Sequence, residues 1–273
     1  MANVIVNTSI DNSDPLDGLI SLREAIELAN ANADADTITF SNSLAGATIT
    51  LAGTELTLSN DITIDGDIEG GDNVADIIIH AAGNSGVFEI SSGTATLDAL
   101  TISGGNSFLG GGVSIASGAT ATVTNSTLIG NAAQFGGGIS NSGTAYVTNS
   151  TLSENTAEFF GGGIDNSGFL TVTNSTLNAN SADFGGGIDN RASTVVVDSS
   201  LTGNSAKNSG GGINNYVDSE ILIVSSTLSG NTAKFQGGIA NFGSLTVVDS
   251  IILGNNDLTT LSGLPSDVTA VEE

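Results

Sequence analysis

A segment that recurs along the chain is the feature that most constrains its fold. Each copy begins with a glycine run followed by Ile or Val, passes through a short alternating run, and reaches a Leu-x-x-Asn step. The copies are spaced 24 to 27 residues apart, and they start near Gly110, Gly136, Gly161, Gly185, Gly210 and Gly237. A repeat of this length is typical of a solenoid, in which one repeat forms one coil and buries its apolar side chains only by stacking on its neighbours.

Each copy divides into three runs of three to five residues, rich in Thr and Val and separated by Gly, Ser and Asn. Such runs favour strands over a helix. The first run contains Ile139, Ile164, Ile188, Ile213 and Ile239; the second is centred on Val123, Val147, Val172, Val196, Ile223 and Val247; the third contains Leu128, Leu152, Leu177, Leu201, Leu228 and Ile252. We therefore predict an all-β, single-stranded parallel β-helix with three strands per coil of about 25 residues and these aliphatic side chains stacked inside it.

Polar and aromatic residues recur with the same period. We predict that the asparagines form ladders at the corners, because Asn tolerates left-handed backbone and its amide can bond the equivalent Asn of the next coil; a role as sugar ligands is the alternative. The two asparagine columns are Asn125, Asn149 and Asn174, and Asn131, Asn155, Asn180, Asn204, Asn231 and Asn255. Aromatic residues precede four glycine runs, and we predict that they stack at a corner or, if they point outward, offer a carbohydrate platform: Phe135, Phe160, Phe184 and Phe235.

The chain has 29 acidic residues against four basic ones, and its formal net charge is −25. This charge argues against binding to nucleic acid or to an anionic membrane. No apolar run approaches the length of about 20 residues that spans a bilayer, so we expect no membrane insertion. Cysteine is absent, and the Thr-, Ser-, Asn- and Gly-rich composition is typical of a secreted or cell-surface bacterial protein. No signal peptide pattern opens the chain, and residues 257–273 are a candidate export signal or a frayed end.

Residues 21–31 predict one amphipathic helix. Ser21 and Glu24 form a capping-box pattern, and the apolar residues fall on one face. We expect this helix to cap the open end of the solenoid, and we expect Arg23 to hold it by pairing with carboxylates or carbonyls. Ahead of the helix lies an acidic loop with Asp11, Asp14 and Asp17. These side chains are a candidate Ca²⁺ site, and a solvated turn is the alternative.

The segment SLREAIELANANADADTITF resembles the SLREA segment that opens many bacterial secreted β-helix proteins. The GGGI and Leu-x-x-Asn steps resemble the GGA-I and Phe-x-x-Asn repeats of the polymorphic outer-membrane protein family. The two resemblances together cover about residues 15–256, and they imply a right-handed parallel β-helix on a cell surface or in the medium, often active in adhesion. The chain departs from the second family because no membrane β-barrel follows the repeats.

We divide the chain into an N-terminal strand, acidic loop and capping helix (1–45), irregular first coils (46–109), regular repeats (110–256) and a tail (257–273). The irregular coils contain a second candidate Ca²⁺ cluster and the only histidine, His80, which we expect at a strand end. The acidic residues of this cluster are Asp61, Asp65, Asp67, Glu69 and Asp72.

The outward positions of the second run form one flat, weakly polar stripe, which we predict to be a contact face for an extracellular glycan, a protein surface or another copy of the chain. Its residues are Thr122, Thr124, Tyr146, Thr148, Thr171, Thr173, Val195, Val197, Leu222 and Val224. We predict a non-catalytic adhesion-type module, with an ice-binding or self-assembling solenoid as one alternative. The other alternative is a polysaccharide lyase or hydrolase. That alternative lacks a basic residue beyond Arg191 in the middle coils, and we expect Asp165 and Asp189 to form a solvated ladder instead of an acid–base pair.

Overall fold

The computed structural model describes residues 3–68, 71 and 74–257. It confirms an all-β parallel solenoid of about 25 residues per coil. Every strand pair is parallel, and the strands form four sheets that run along the solenoid, with ten, nine, eight and seven strands. Among the described residues, no helix is long and apolar enough to cross a membrane.

The first part of the chain is less regular than the rest, and it contains the one α-helix of the described residues. A short 3-10 helix, Asn42–Leu44, follows the second strand. The elements in chain order are β1 (Asn3–Val6), α1 (Leu22–Asn30), β2 (Asp36–Phe40), β3 (Thr48–Thr50), β4 (Leu56–Leu58), β5 (Ile62–Asp65), β6 (Ile77–His80), β7 (Phe88–Ile90), β8 (Thr94–Asp98), β9 (Leu100–Ser103) and β10 (Asn106–Leu109).

The regular coils follow, each with four short strands. These are β11 (Val113–Ile115), β12 (Thr120–Thr124), β13 (Thr127–Ile129), β14 (Ala132–Phe135), β15 (Ile139–Asn141), β16 (Thr144–Thr148), β17 (Thr151–Ser153), β18 (Thr156–Phe160), β19 (Ile164–Asn166), β20 (Phe169–Thr173), β21 (Thr176–Asn178), β22 (Ser181–Phe184), β23 (Ile188–Asn190), β24 (Ser193–Val197), β25 (Ser200–Thr202), β26 (Ser205–Ser209), β27 (Ile213–Asn215), β28 (Glu220–Val224), β29 (Thr227–Ser229), β30 (Thr232–Phe235), β31 (Ile239–Asn241), β32 (Ser244–Val248), β33 (Ile251–Leu253) and β34 (Asn256–Asp257).

The three predicted runs correspond to three of the four sheets. The first run lies in the eight-stranded sheet (β4 to β31), the second in the ten-stranded sheet (β1 to β32), and the third in the nine-stranded sheet (β3 to β33). Val147, Val172 and Val196 are neighbours across successive strands, and each is fully buried. The inward aliphatic columns therefore form one continuous core along the axis.

The prediction of three strands per coil is wrong, because a fourth run forms a seven-stranded sheet from β10 to β34. Each of its regular coils contributes one small inward residue: Ala133, Ala157, Ala182, Ala206 and Ala233. One alanine between polar neighbours has too little apolar character to mark a strand in the sequence. The run is a strand because the coils above and below it supply the hydrogen bonds.

The corners carry the predicted asparagine ladders. Asn131 donates from both its backbone N–H and its side-chain amide to Oδ1 of Asn155, at 3.0 Å each, and Asn155 bonds Asn180 in the same way. Asn149 adopts left-handed backbone, with φ 49°, and donates to Asn125 at 3.2 Å. These bonds satisfy backbone groups that leave the sheets at each corner.

The glycine runs contain two successive positions at which a side chain would not fit, for different reasons. Gly136 has φ +67°, and a Cβ added at Gly137 would lie 2.5 Å from the carbonyl oxygen of Gly162. The first position therefore needs left-handed backbone, and the second needs close approach to the next coil.

Helix α1 covers the first coils as predicted. Ser21 caps it in a capping box with Glu24, and Leu22, Ala25, Ile26 and Ala29 are buried against the core. Arg23 binds Asp11 through two bonds of 2.8 and 2.9 Å. It also donates to the backbone carbonyls of Thr54 and Glu55. The helix is thus attached by both apolar packing and a fixed guanidinium.

Candidate functional site

The predicted stripe occupies the outer face of the ten-stranded sheet. Its first column joins Thr122, Tyr146, Thr171, Val195 and Leu222 across successive strands, and its second column joins Thr124, Thr148, Thr173, Val197 and Val224. Tyr146 and Leu222 are exposed and the other eight residues are half-buried. The inward neighbours alternate with them as a core column.

This stripe contains no charged side chain over five successive coils. Strands in a sheet are spaced by about 4.8 Å, so the ten side chains cover a regular surface about 20 Å long. The ring of Tyr146, the aromatic residue of the stripe, meets that of Phe169 edge-on at a centroid distance of 6.3 Å. This contact holds the exposed Tyr146 ring in one orientation. The stripe is therefore a continuous, neutral surface on a strongly acidic chain.

The structure places a second cluster between the eight- and seven-stranded sheets, and it corrects one prediction. Asp165 and Asp189 are Cα partners on β19 and β23, but they are buried, at 5% and 0% exposure, and do not form a solvated ladder. Nη1 of Arg191 lies 3.1 Å from Oδ1 of Asp165, and its Nη2 lies 2.8 Å from Oδ2 of Asp189. One guanidinium thus joins carboxylates from two successive coils.

Aromatic rings cover this cluster from the seven-stranded sheet. The rings of Phe135, Phe160 and Phe184 are stacked at centroid distances of 5.7 and 5.6 Å. The guanidinium carbon of Arg191 lies 4.2 Å from the centre of Phe160 and 5.5 Å from that of Tyr216. The predicted corner stack thus forms for three of the four phenylalanines. Phe235 is not part of it, because its partner in the preceding coil is Ser209, and it is 49% exposed.

Burial controls the electrostatics of the cluster. It raises the pKa of Asp165 to about 6, against the opposing effect of the Arg191 charge. It raises the pKa of Asp189 to about 7, although Arg191 and the Asn214 amide both favour the charged form. Burial also raises the pKa of Tyr216, and the Asp189 charge adds to this. Desolvation therefore outweighs the ion pairs at both carboxyl groups.

The arrangement is poorly suited to catalysis. A general acid or base must reach a substrate proton, yet both carboxylates are buried and bound to the same cation. Arg191 cannot act as a base, because a guanidinium stays protonated in proteins, and two carboxylates hold it in that form. The cluster ties successive coils together, and the sequence could not show this, because it does not reveal which outward column another sheet covers.

The structure does not bring together the three residues of the first candidate Ca²⁺ site. Asp11 is bound to Arg23 and accepts the backbone N–H of Ala52 at 2.6 Å. Asp14 and Asp17 each accept the backbone N–H of the residue two positions ahead. The N–H of Leu19 and, to a smaller extent, the side-chain amide of Asn12 donate to Asp17 and lower its pKa. Within the described ranges, no group of three His, Cys, Asp or Glu is placed to hold a metal ion.

The second candidate Ca²⁺ cluster is only partly described, since Glu69 and Asp72 lie outside the described residues. Asp61 accepts the N–H of Thr94 at 2.7 Å, and Asp65 accepts that of Asp67 at 3.0 Å. Desolvation raises the pKa of Asp65, with the charges of Asp98 and Asp67 adding to the effect. That this second acidic cluster binds a Ca²⁺ ion stays a prediction.

His80 ends β6, as expected, and its Nδ1 lies 3.1 Å from the hydroxyl of Ser103. It belongs to the nine-stranded sheet, whereas Arg191 follows a strand of the eight-stranded sheet. The candidate export segment is residues 257–273, and all of it except Asp257 lies outside the described residues.

Comparisons with known proteins add one finding. No family model matches the sequence, and no curated protein matches it. Among solved structures, the chain is similar to the crystal structure of pectate lyase Pel9A, with a TM-score of 0.47 and 13% identity over 93% of this chain and 77% of that chain. A likeness this distant supports no argument about activity or substrate. The resemblance to SLREA-type and polymorphic outer-membrane proteins stays a prediction.

Proposed function

We propose that this chain is a non-catalytic binding module of a cell surface or the extracellular medium, and that the stripe on the ten-stranded sheet is its contact face. The carrying observation is that ten outward side chains stand in register over five coils with no charge among them. Val195, Val197, Leu222 and Val224 make one end of the stripe apolar, and contiguous apolar area at a surface usually marks an interaction site.

The net charge of the chain limits the chemical class of partner that the stripe can bind. A chain with a net charge of −25 repels anionic polymers, so a neutral glycan or a weakly charged protein surface suits the stripe better than an acidic polysaccharide. The threonine and tyrosine hydroxyls supply hydrogen bonds, and Val195, Val197 and Leu222 supply apolar contact. A rigid strand face also loses little conformational entropy on binding.

The alternative is a polysaccharide-active enzyme. Its best support is that perturbed carboxyl pKa values cluster at functional sites, as those of Asp165 and Asp189 do. Structural ion pairs perturb pKa values in the same way, and both carboxylates here are closed off by Arg191 and the Phe160 ring. This alternative therefore ranks second.

A glycan array of neutral and acidic oligosaccharides tests the proposal when probed with the intact chain and two double variants. Val195→Glu with Leu222→Glu places charges on the stripe. Ser200→Glu with Thr227→Glu makes the same change in the same two coils, on the outer face of the nine-stranded sheet. We expect binding to neutral glycans by the intact chain and the control, and at least a tenfold loss for the stripe variant.

Two outcomes would contradict the proposal. Equal loss in both variants would place recognition elsewhere on the chain. Release of unsaturated or reducing sugar ends from polygalacturonate or a neutral polysaccharide, abolished by Asp189→Asn, would show that the chain is an enzyme.

A further inference from the structure

An open recess lies beside the stripe, at the corner where the chain passes from the eight-stranded to the ten-stranded sheet. Its volume is about 630 Å³, within the range of about 300–1,000 Å³ that small-ligand sites occupy. The side chains that matter for binding come from three successive coils: Ser193, Val217, Asp218, Glu220, Phe242 and Ser244. The lining therefore combines apolar contact with hydroxyl and carboxylate groups, as a site for a hydroxylated ring requires.

One long corner forms a wall of the recess. Two residues join the eight- and ten-stranded sheets in the coils on either side, whereas four residues, 216–219, join β27 to β28. Asp218 adopts left-handed backbone there, with φ 64°, and the hydroxyl of Ser219 holds the turn by donating to Asn215 at 2.9 Å. Val217 is 67% exposed, although a further coil, β31 to β33, stacks on its own. The four-residue corner between β11 and β12 carries only Ala, Ser and Gly, so this projecting wall is specific to one coil of the two.

The floor of the recess continues the stripe. Ser193, Glu220 and Ser244 are the first residues of β24, β28 and β32, and they are partners in one column. They lie two residues before the first stripe column and its continuation on β32, so they belong to the same outer face. The hydroxyl of Ser193 donates to Oε1 of Glu220 at 3.0 Å, which holds the carboxylate in place. Oε2 of Glu220 accepts no hydrogen bond from another described residue, so it is available to a ligand hydroxyl.

Aromatic side chains flank this column at both ends. Phe242 lines the recess and is 56% exposed. Phe169, the partner of Ser193 in the same column, is 40% exposed, and its ring meets that of Tyr146 in the stripe. Phe169 and Ser244 are three strand steps apart, or about 14 Å at about 4.8 Å per step. A short chain of sugar rings lying along this column therefore meets an aromatic ring at each end and a carboxylate between them.

We propose that the recess is a subsite for one neutral hexopyranose ring of a glycan that lies along the stripe, an inference that rests on the proposed function of the stripe. The apolar C–H face of the sugar stacks on Phe242, and its hydroxyls bond Glu220, Ser193 and Ser244. A large aromatic contact beside fixed polar groups supplies both affinity and orientation. No described lining residue is basic, so the carboxylate of an acidic sugar would meet Asp218 and Glu220 without a cation. The subsite therefore selects neutral sugars by repelling acidic ones.

Titration calorimetry of the full chain with cellohexaose, mannohexaose and hexagalacturonate tests the subsite. The recess variant is Phe242→Ala with Glu220→Ala. The control, Phe108→Ala with Glu158→Ala, removes an exposed phenylalanine and an exposed glutamate from the seven-stranded sheet instead. We expect the intact chain and the control to bind a neutral hexasaccharide equally, and the recess variant to bind it at least tenfold more weakly. Glu220→Gln should keep most of this binding and reduce the preference over hexagalacturonate, because it removes one of the two repelling charges.

The stripe variant, Val195→Glu with Leu222→Glu, separates this inference from the proposed function. Loss of binding in the stripe variant but not in the recess variant overturns the subsite and leaves the stripe as the contact face. Equal losses in the recess variant and its control also overturn the subsite. An intact chain that binds neither neutral hexasaccharide overturns both proposals, and hexagalacturonate binding as tight as that of the neutral sugars overturns the selection by charge.

Discussion

Replacing Arg191 with methionine removes the one cation that the buried carboxylates of Asp165 and Asp189 share. The methionine keeps most of the apolar stem over the Phe160 ring, so the change is mainly electrostatic. Leaving buried charges without their partner costs about 3–5 kcal/mol when the groups are ionised. The cost at acid pH is smaller, because both carboxyl groups are then protonated and only the contact between the cation and the rings is lost, about 1 kcal/mol.

The pH dependence of the intact chain has a defined sign. Asp165 and Asp189 have raised pKa values, about 6 and about 7 against an ordinary 3.8. The folded chain therefore holds their protons more tightly than the unfolded chain does, and stability falls as the pH rises through this range. Between pH 5 and pH 8 the free energy of unfolding falls over about one pH unit because of Asp165 and over about two because of Asp189. At about 1.4 kcal/mol per unit, the total fall is about 4 kcal/mol.

Thermal unfolding followed by circular dichroism at pH 5 and pH 8 checks both statements. At about 2–4 °C per kcal/mol, Arg191→Met should lower the melting temperature by roughly 6–20 °C at pH 8 and by only a few degrees at pH 5. The matched control is Lys207→Met, which removes an exposed ion pair with Asp183 of 2.7 Å and should change little at either pH. An equal loss for Arg191→Met at both pH values, or a loss no larger than that of the control, would refute the reasoning.

Two further changes test the corner ladders and the cap. Asn155→Ala leaves buried ladder donors without a partner and should lower the free energy of unfolding by about 2–4 kcal/mol. Asn149→Gly, at an exposed left-handed position of the other ladder, should lower it much less. Urea denaturation measures both changes, and equal losses would contradict the ladder account. Asp11→Asn should weaken the Arg23 contact and speed hydrogen exchange in the first coils, with or without EDTA, while Asp14→Asn should have little effect. A fall in melting temperature on adding EDTA to the intact chain would instead support a bound calcium ion.

The sequence was sufficient to predict the core and the cap. Residues such as Val147 and Leu152 recur once per coil and alternate with polar neighbours, so their inward direction follows from the two-residue period of a strand. The face of α1 that packs on the core follows from the 3.6-residue period in the same way. The fourth strand was missed because its inward residue is a single alanine, such as Ala133.

The Arg191 cluster was missed for a different reason. Asp165 and Asp189 lie at outward positions of their strands, and outward residues are normally solvated. Here Arg191 pairs with both carboxylates and the Phe160 ring lies over its guanidinium, and no spacing within the eight-stranded run reveals this. The unequal spacing between Asp165, Asp189 and Arg191 also hides the fact that one guanidinium reaches both carboxylates. The stripe was predictable because its residues alternate with an inward core column, and each of them is exposed or half-buried.

The stripe, the buried cluster and the asparagine ladders all depend on one stack of coils in a single register. Distances between nitroxide spin labels, measured by pulsed electron paramagnetic resonance, test this most directly. Thr37 and Thr171 are five strand steps apart in one column, and Thr37 and Thr246 are eight steps apart. At about 4.8 Å per step, the two backbone separations should be about 24 and 38 Å. Distances that do not increase in the ratio of five to eight would contradict the register on which every surface described above depends.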